Sequence, residues 1–268
     1  MDNLTLKLVV TPALIGAATL AGRRWGQSIG GWLVGLPLTT GPVAFFIALD
    51  HGEPFAAAAA LGSLAGAAAE AAFCVAYGRL ALRAGWPLAL LAGSTAFAAV
   101  GVALQRLTLG PLPLLLIGVG ALALALRLMP ATAPGPAPVR PPRGDLGARM
   151  VLATVVVLLI TALAPRLGAR LSGLLATYPL FAAILTAFAH RLQGPAAAVS
   201  VLRGLLFGLF AFAAFCFVLG VSLVRLGIPG AFAAAIAVAV LVQGISLWRL
   251  RAPRGPGPSC LRPPGAAR

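Results

Sequence analysis

The chain has 268 residues, of which 60% are hydrophobic and 9% charged, and its mean hydropathy is +1.01. Soluble domains carry about a quarter charged residues, so this composition excludes a soluble fold and marks an integral membrane protein. A formal charge of +15 would point to nucleic acid in a soluble chain; here the arginines lie between apolar stretches, which makes them orientation signals and excludes that reading.

Apolar stretches of spanning length, about 20 residues each, are predicted at 4–22, 28–49, 54–78, 86–105, 110–128, 149–165, 171–189, 195–224 and 229–248. The first reads as a retained helix, because Lys7 is its only early positive charge and Arg23 and Arg24 stand where a cleavage site would need small residues. The second, GGWLVGLPLTTGPVAFFIALD, carries Pro37, Thr39, Thr40, Gly41 and Pro42 at its centre. Each proline removes a backbone donor at membrane depth, and the threonine hydroxyls are placed to take up orphaned groups, so this span is expected to be broken. The loop that follows gathers Asp50, His51 and Glu53, which reads as a solvated turn rather than a metal site. The third span holds Glu70 and the eighth Arg203; each is about eight residues from its inner end, roughly 12 Å below the same surface. Charge inside a span is costly and marks function or pairing, so the two are expected to face each other, as a structural ion pair or as a coupling carboxylate with a regulating arginine. The alternative is that both snorkel separately to the surface.

After the fifth span comes the proline-rich linker PATAPGPAPVRPPRGD, which reads as a flexible cytoplasmic tether. The seventh span, SGLLATYPLFAAILTAFAH, places Thr177, Tyr178 and Pro179 where the second has its break. The tail RLRAPRGPGPSCLRPPGAAR reads as a disordered anchor for anionic headgroups.

A shift of 142 residues lays the chain on itself without a gap. Gly31, Leu33, Pro37 and Leu38 fall on Gly173, Leu175, Pro179 and Leu180; Gly62, Gly66, Phe73 and Cys74 fall on Gly204, Gly208, Phe215 and Cys216. Roughly a third of positions from Arg24 to Ala92 are identical, against roughly a ninth from composition alone, so the chain is a tandem duplication. The recurrent Gly62-x-x-x-Gly66 and Gly204-x-x-x-Gly208 predict close helix packing in both copies, and Cys74 and Cys216 read as small apolar residues. An odd number of crossings before the second copy inverts it. The expected fold is an all-α membrane protein of nine helices: a four-helix repeat over 1–107, a linking helix over 108–129, the cytoplasmic linker over 130–148, an inverted four-helix repeat over 149–250, and a basic tail over 251–268. With the carboxyl end cytoplasmic, most basic residues face inside, including Arg23, Arg24, Arg79, Arg83, Arg127 and Arg191, while Lys7, Arg106, Arg166, Arg170 and Arg225 face outside. The preference for arginine fits a bacterial inner membrane.

The runs LVVTPALIGAATLAGRRWGQSIGGWLVGLP and LSGLLATYPLFAAILTAFAHRLQGPAAAVSVLRG resemble the small GlpM-like membrane proteins, four-span chains with an aromatic-Pro pair and an alanine-rich span ending in histidine. The resemblance implies a tandem of two such units. The second copy keeps Tyr178, Pro179 and His190, whereas the first has Leu36, Pro37 and Ala48 at those places.

Inverted repeats recur in transporters and some channels, where solute passes the repeat interface at mid-depth. A transporter or channel for a small solute or ion is therefore expected, with Pro37, Thr39, Thr40, Thr177, Tyr178 and Pro179 as the solute site and Glu70 and Arg203 as a coupling or ion pair. A proline kink that only shapes packing is the competing reading of the two breaks. The alternative function is a non-transporting scaffold of an envelope system. Small multidrug exporters and fluoride channels use related units, but the first-span glutamate of the one and the Asn and Phe motifs of the other are missing. No phosphate loop, dinucleotide fingerprint, zinc spacing or nucleophile elbow is present, so neither an enzyme nor a cofactor or metal is expected. The expected partners are the bilayer, a small solute or ion and, as an option, a second copy of the chain.

Overall fold

A computed structural model describes residues 3–37, 40–107, 109–131, 144–159 and 177–251. These residues are mostly helical, with no strand among them. In chain order they form α1 (Asn3–Trp25), α2 (Gln27–Val34), α3 (Thr40–His51), α4 (Glu53–Ala81), α5 (Trp86–Leu104) and α6 (Pro111–Leu128). There follow α7 over 145–159, α8 (Leu180–Gln193) and α9 (Pro195–Arg251). The last is two helices that meet at Gly227, where φ is 67°. Four helices, α4, α5, α6 and α9, are long and apolar enough to cross a membrane. Large apolar side chains lie exposed on their outer faces, as at Leu91, Leu116 and Val240, the surface expected where lipid replaces water.

The sequence dictates where helices stop. Gly52, between α3 and α4, and Gly194, between α8 and α9, have φ of 85° and 88°, a region L side chains avoid. The two glycines are themselves 142 residues apart, the same shift that lays the sequence on itself. Prolines stand in the first turn of α4, α5 and α6, at Pro54, Pro87 and Pro111, where a missing N–H costs nothing.

The core sits where α4 meets the first segment of α9. Leu64, Phe73, Cys74 and Tyr77 from α4 and Leu202, Leu206, Phe215 and Cys216 from α9 form one buried cluster. The two helices run antiparallel: Gly220 lies against Leu61 and Ala57, while at the other end Gly78 meets Met129, whose carbonyl accepts a hydrogen bond from Arg203 at 3.2 Å. On the other side of α9, α2 packs so closely that backbones touch. A side chain at Gly31 would meet the Val201 carbonyl, and one at Gly204 the Ser28 carbonyl.

The glycine pairs do not behave alike, contrary to the sequence expectation of equal packing faces. Gly204 and Gly208 both bear on α2, whereas in α4 only Gly66 is covered, by Thr177 at 3.2 Å. Gly62 is exposed, with nothing among the described residues within 4 Å of where its side chain would be.

Candidate functional site

Both expected breaks are irregular backbone. In the first, α2 ends with Leu36 N–H donating to the Leu33 carbonyl at 3.2 Å, and α3 resumes with Gly41 N–H donating to the Pro37 carbonyl at 2.9 Å. In the second, Leu180 N–H donates to the Tyr178 carbonyl at 2.7 Å across Pro179, whose φ and ψ are −75° and 59°. That is an inverse γ-turn. Ala183 N–H then donates to the Pro179 carbonyl at 2.8 Å, so both prolines supply the carbonyl on which the following helix restarts. Thr40 opens α3, and Thr39 lies outside the described residues. Pro42 does not contribute to the break: it falls in the first turn of α3, where a missing N–H leaves no bond unmade.

Each break packs on the helix of the other copy, and the contacts are reciprocal. Gly35, at the first break, lies on Gly208 of α9, with the position of an added side chain 2.7 Å from the Gly208 Cα. Thr177, at the second, lies on Gly66 of α4. Shifting Gly35 by 142 residues gives Thr177, and shifting Gly66 by 142 gives Gly208. Further along, Phe215 of α9 lies 3.7 Å from where an added side chain at Gly41 would stand, and Phe73 of α4 stands edge-on to Tyr178 with ring centroids 6.1 Å apart; these two contacts are not equivalents under the shift, since Gly41 falls on Ala183 and Leu36 on Tyr178.

Tyr178 is the polar centre of the second break. Its hydroxyl pairs with the Ser94 hydroxyl of α5 at 2.8 Å, and its ring is held between Phe73 and Phe97. Glu70 lies on α4 between Gly66, which Thr177 covers, and Phe73, which meets Tyr178, so it stands at the level of that break.

Glu70 and Arg203 do not form an ion pair. Arg203 donates to the carbonyls of Met129 and Pro130 at 3.2 and 3.3 Å, at the end of α6, where free carbonyls and the helix dipole favour a cation. Because Arg203 sits level with Gly78, Glu70 is about eight residues, roughly 12 Å, deeper. Equal counts from span ends had put them together. The helix ends are not flush, since α9 begins about two turns beyond that level.

No family model, curated protein or solved structure matches the chain.

Several polar groups of the interior are invisible to sequence reading. Tyr77 Oη lies 3.4 Å from His190 Nδ1, both on the core side, linking α4 to α8. Asp145 is buried and accepts from two guanidinium groups: Arg23 Nη2 at 2.6 Å and Arg149 Nε at 3.1 Å. Arg149 also covers the Phe188 ring at 4.8 Å, so α1, α7 and α8 are tied at one end. Next to them Gln27 donates to Gln193 at 3.1 Å, and Ser28 and Ser200 pair at 2.6 Å. A signal for Asp145 exists in the chain: it is the only acidic residue after Glu70. The buried hydroxyls of Thr19 and Thr186 and the Gln243 amide oxygen find no hydrogen-bond partner among the described residues. A void of about 50 Å³ lined by Leu33, Leu36 and Phe181 lies beside the first break.

Proposed function

We propose that the chain is a nine-crossing membrane protein in which two inverted four-helix repeats, joined by α6, pass a small solute or ion along their interface. The observation that carries this reading is the reciprocal seating of the two breaks, Gly35 on Gly208 and Thr177 on Gly66. Equivalent helices that cross antiparallel, as α4 and the first segment of α9 do, are what inversion of the second copy requires. Irregular backbone at membrane depth persists only where it is buried in protein or lines a polar path, and here it comes with the Tyr178 and Ser94 hydroxyls and the Glu70 carboxyl at the same level of α4; elsewhere in the interior the buried hydroxyls of Thr19 and Thr186 find no hydrogen-bond partner among the described residues. Buried polar atoms of that kind call for water or solute. In this reading Tyr178, Thr177 and the Pro37 and Pro179 turns contact solute, and Glu70 carries the coupling charge. Arg203 anchors α9 to the end of α6.

The close backbone contact of Gly35 with Gly208 favours a second reading, in which the breaks shape packing and the protein is a scaffold. Single cysteines at Thr40, Tyr178 and Glu70, in a background without native cysteines, separate the two. A thiol reacts only when hydrated enough to ionise, so along a solute path these positions label at least about tenfold faster than a lipid-facing Leu91→Cys control. Labelling of all three at the control rate would leave the scaffold.

A further inference from the structure

A cleft of about 390 Å³ lies between α5, α7 and α8. Its walls are apolar, built from Leu90, Leu152, Val156, Ile184 and Phe188, and its floor is α8. Tyr178, at the second break, closes it at one end and Arg191, in the last turn of α8, stands at the other. From Leu180 to Arg191 is about 16 Å at 1.5 Å per residue, so the cleft is long and narrow. It opens on the outer face of the molecule: Trp86 and Leu152 on its rim are 37% and 42% exposed, and Leu88, Leu91 and Val155 flank it, exposed on the same two helices. In a bilayer that face meets acyl chains. Arg191 is exposed, and the ion pairs among the described residues both use Asp145 with other arginines. A long apolar slot open to lipid, with a cation at one mouth and an indole on its rim, has the two-part chemistry of a phospholipid, because aromatic rings and basic side chains both concentrate at headgroup depth.

We propose that this cleft binds an anionic phospholipid, one acyl chain lying along α8 between α5 and α7 and the phosphate resting on Arg191. The occupant is a lipid rather than a solute because the slot is entered from the side of the helix bundle. The proposal stands apart from the transport reading, since it needs neither the repeat interface nor a particular orientation.

Trp86 reports on it. The whole protein is placed in nanodiscs of phosphatidylcholine that contain either brominated phosphatidylglycerol or brominated phosphatidylcholine at the same mole fraction, and indole quenching is measured. The share of quenching that Trp86→Phe removes belongs to the cleft. That share is expected to correspond to about a five-fold preference for the anionic lipid, which is what one interfacial cation contributes. Arg191→Gln abolishes the preference and Arg191→Lys keeps it. Ala187→Phe fills the slot while leaving Arg191 in place, and it also abolishes the preference. Equal quenching by the two lipids overturns the proposal, as does a preference that survives Arg191→Gln. A preference that survives Ala187→Phe also overturns it, because Arg191 then attracts headgroups without a chain in the cleft.

Discussion

Gly204→Ala is expected to cost about 3 kcal/mol or more and to leave little monodisperse protein after extraction in mild detergent. The new methyl would overlap the Ser28 carbonyl and crowd the Ser28 Cα, 2.9 Å away. Both neighbours are backbone, so neither can turn aside as a flexible side chain would. Relief requires α2 to lift from α9, which breaks the Ser28–Ser200 pair and draws Trp32 Nε1 away from Ser246 Oγ, now at 2.9 Å. Gly62→Ala, at the equivalent position of the first copy, is expected to be neutral or slightly stabilising. It is exposed with nothing among the described residues within 4 Å, and alanine favours the helix by up to about 1 kcal/mol over glycine. Size-exclusion profiles and melting temperatures of the two variants, side by side, check this. Equal behaviour would mean that α2 does not pack on α9 as described.

Asp145→Ala is expected to destabilise the protein by about 3–5 kcal/mol, because it strands the Arg149 guanidinium in a buried place without its counter-charge. The Arg149 and Asp145 side chains are each 3% exposed, whereas the Arg23 side chain is 30% exposed. Arg23→Ala therefore removes a partly hydrated partner and should cost about 1 kcal/mol or less. Asp145→Ala combined with Arg149→Met should recover most of the loss, since the uncompensated charge leaves with the arginine and the methionine still covers Phe188. The pair is thus strongly non-additive. Thermal unfolding in detergent measures all three. If Asp145→Ala costs no more than Arg23→Ala, the buried clamp is not a main tie of α1 to α7.

What was legible in the sequence came from residues whose backbone chemistry is local. Pro37 and Pro179 announce the breaks because a missing donor stops a helix wherever it stands, and the junctions at Gly52 and Gly194 follow from a conformation that only glycine takes readily. The 142-residue self-similarity rests on residues of the same kind, glycines and prolines with a backbone or close-packing task. Depth and partnership were not legible. Counting from span ends paired Glu70 with Arg203, yet the overhang of α9 delivers Arg203 to the carbonyls of Met129 and Pro130 and leaves Glu70 deep beside the second break. Tyr178 stands out in the sequence by its place beside Pro179, but its partner Ser94 does not, because nothing local to the serine tells that α5 passes that way. Asp145 looked like linker beside so many prolines; its role depends on Arg23 of α1 reaching it across more than a hundred residues. The unequal fates of Gly62 and Gly204 show the limit of repeat reasoning: identical residues at equivalent places are covered in one copy and open in the other.

Arg24 and Arg166 occupy the same place in the two copies, and Arg24 is exposed at the end of α1. Single cysteines there, in a chain lacking Cys74, Cys216 and Cys260, would be exposed to an impermeant maleimide in intact cells and again after permeabilisation. An inverted pair of repeats predicts that Arg166→Cys is labelled from outside and Arg24→Cys only after permeabilisation. Labelling of both from the same side would make the repeats parallel and contradict a solute path built between inverted halves.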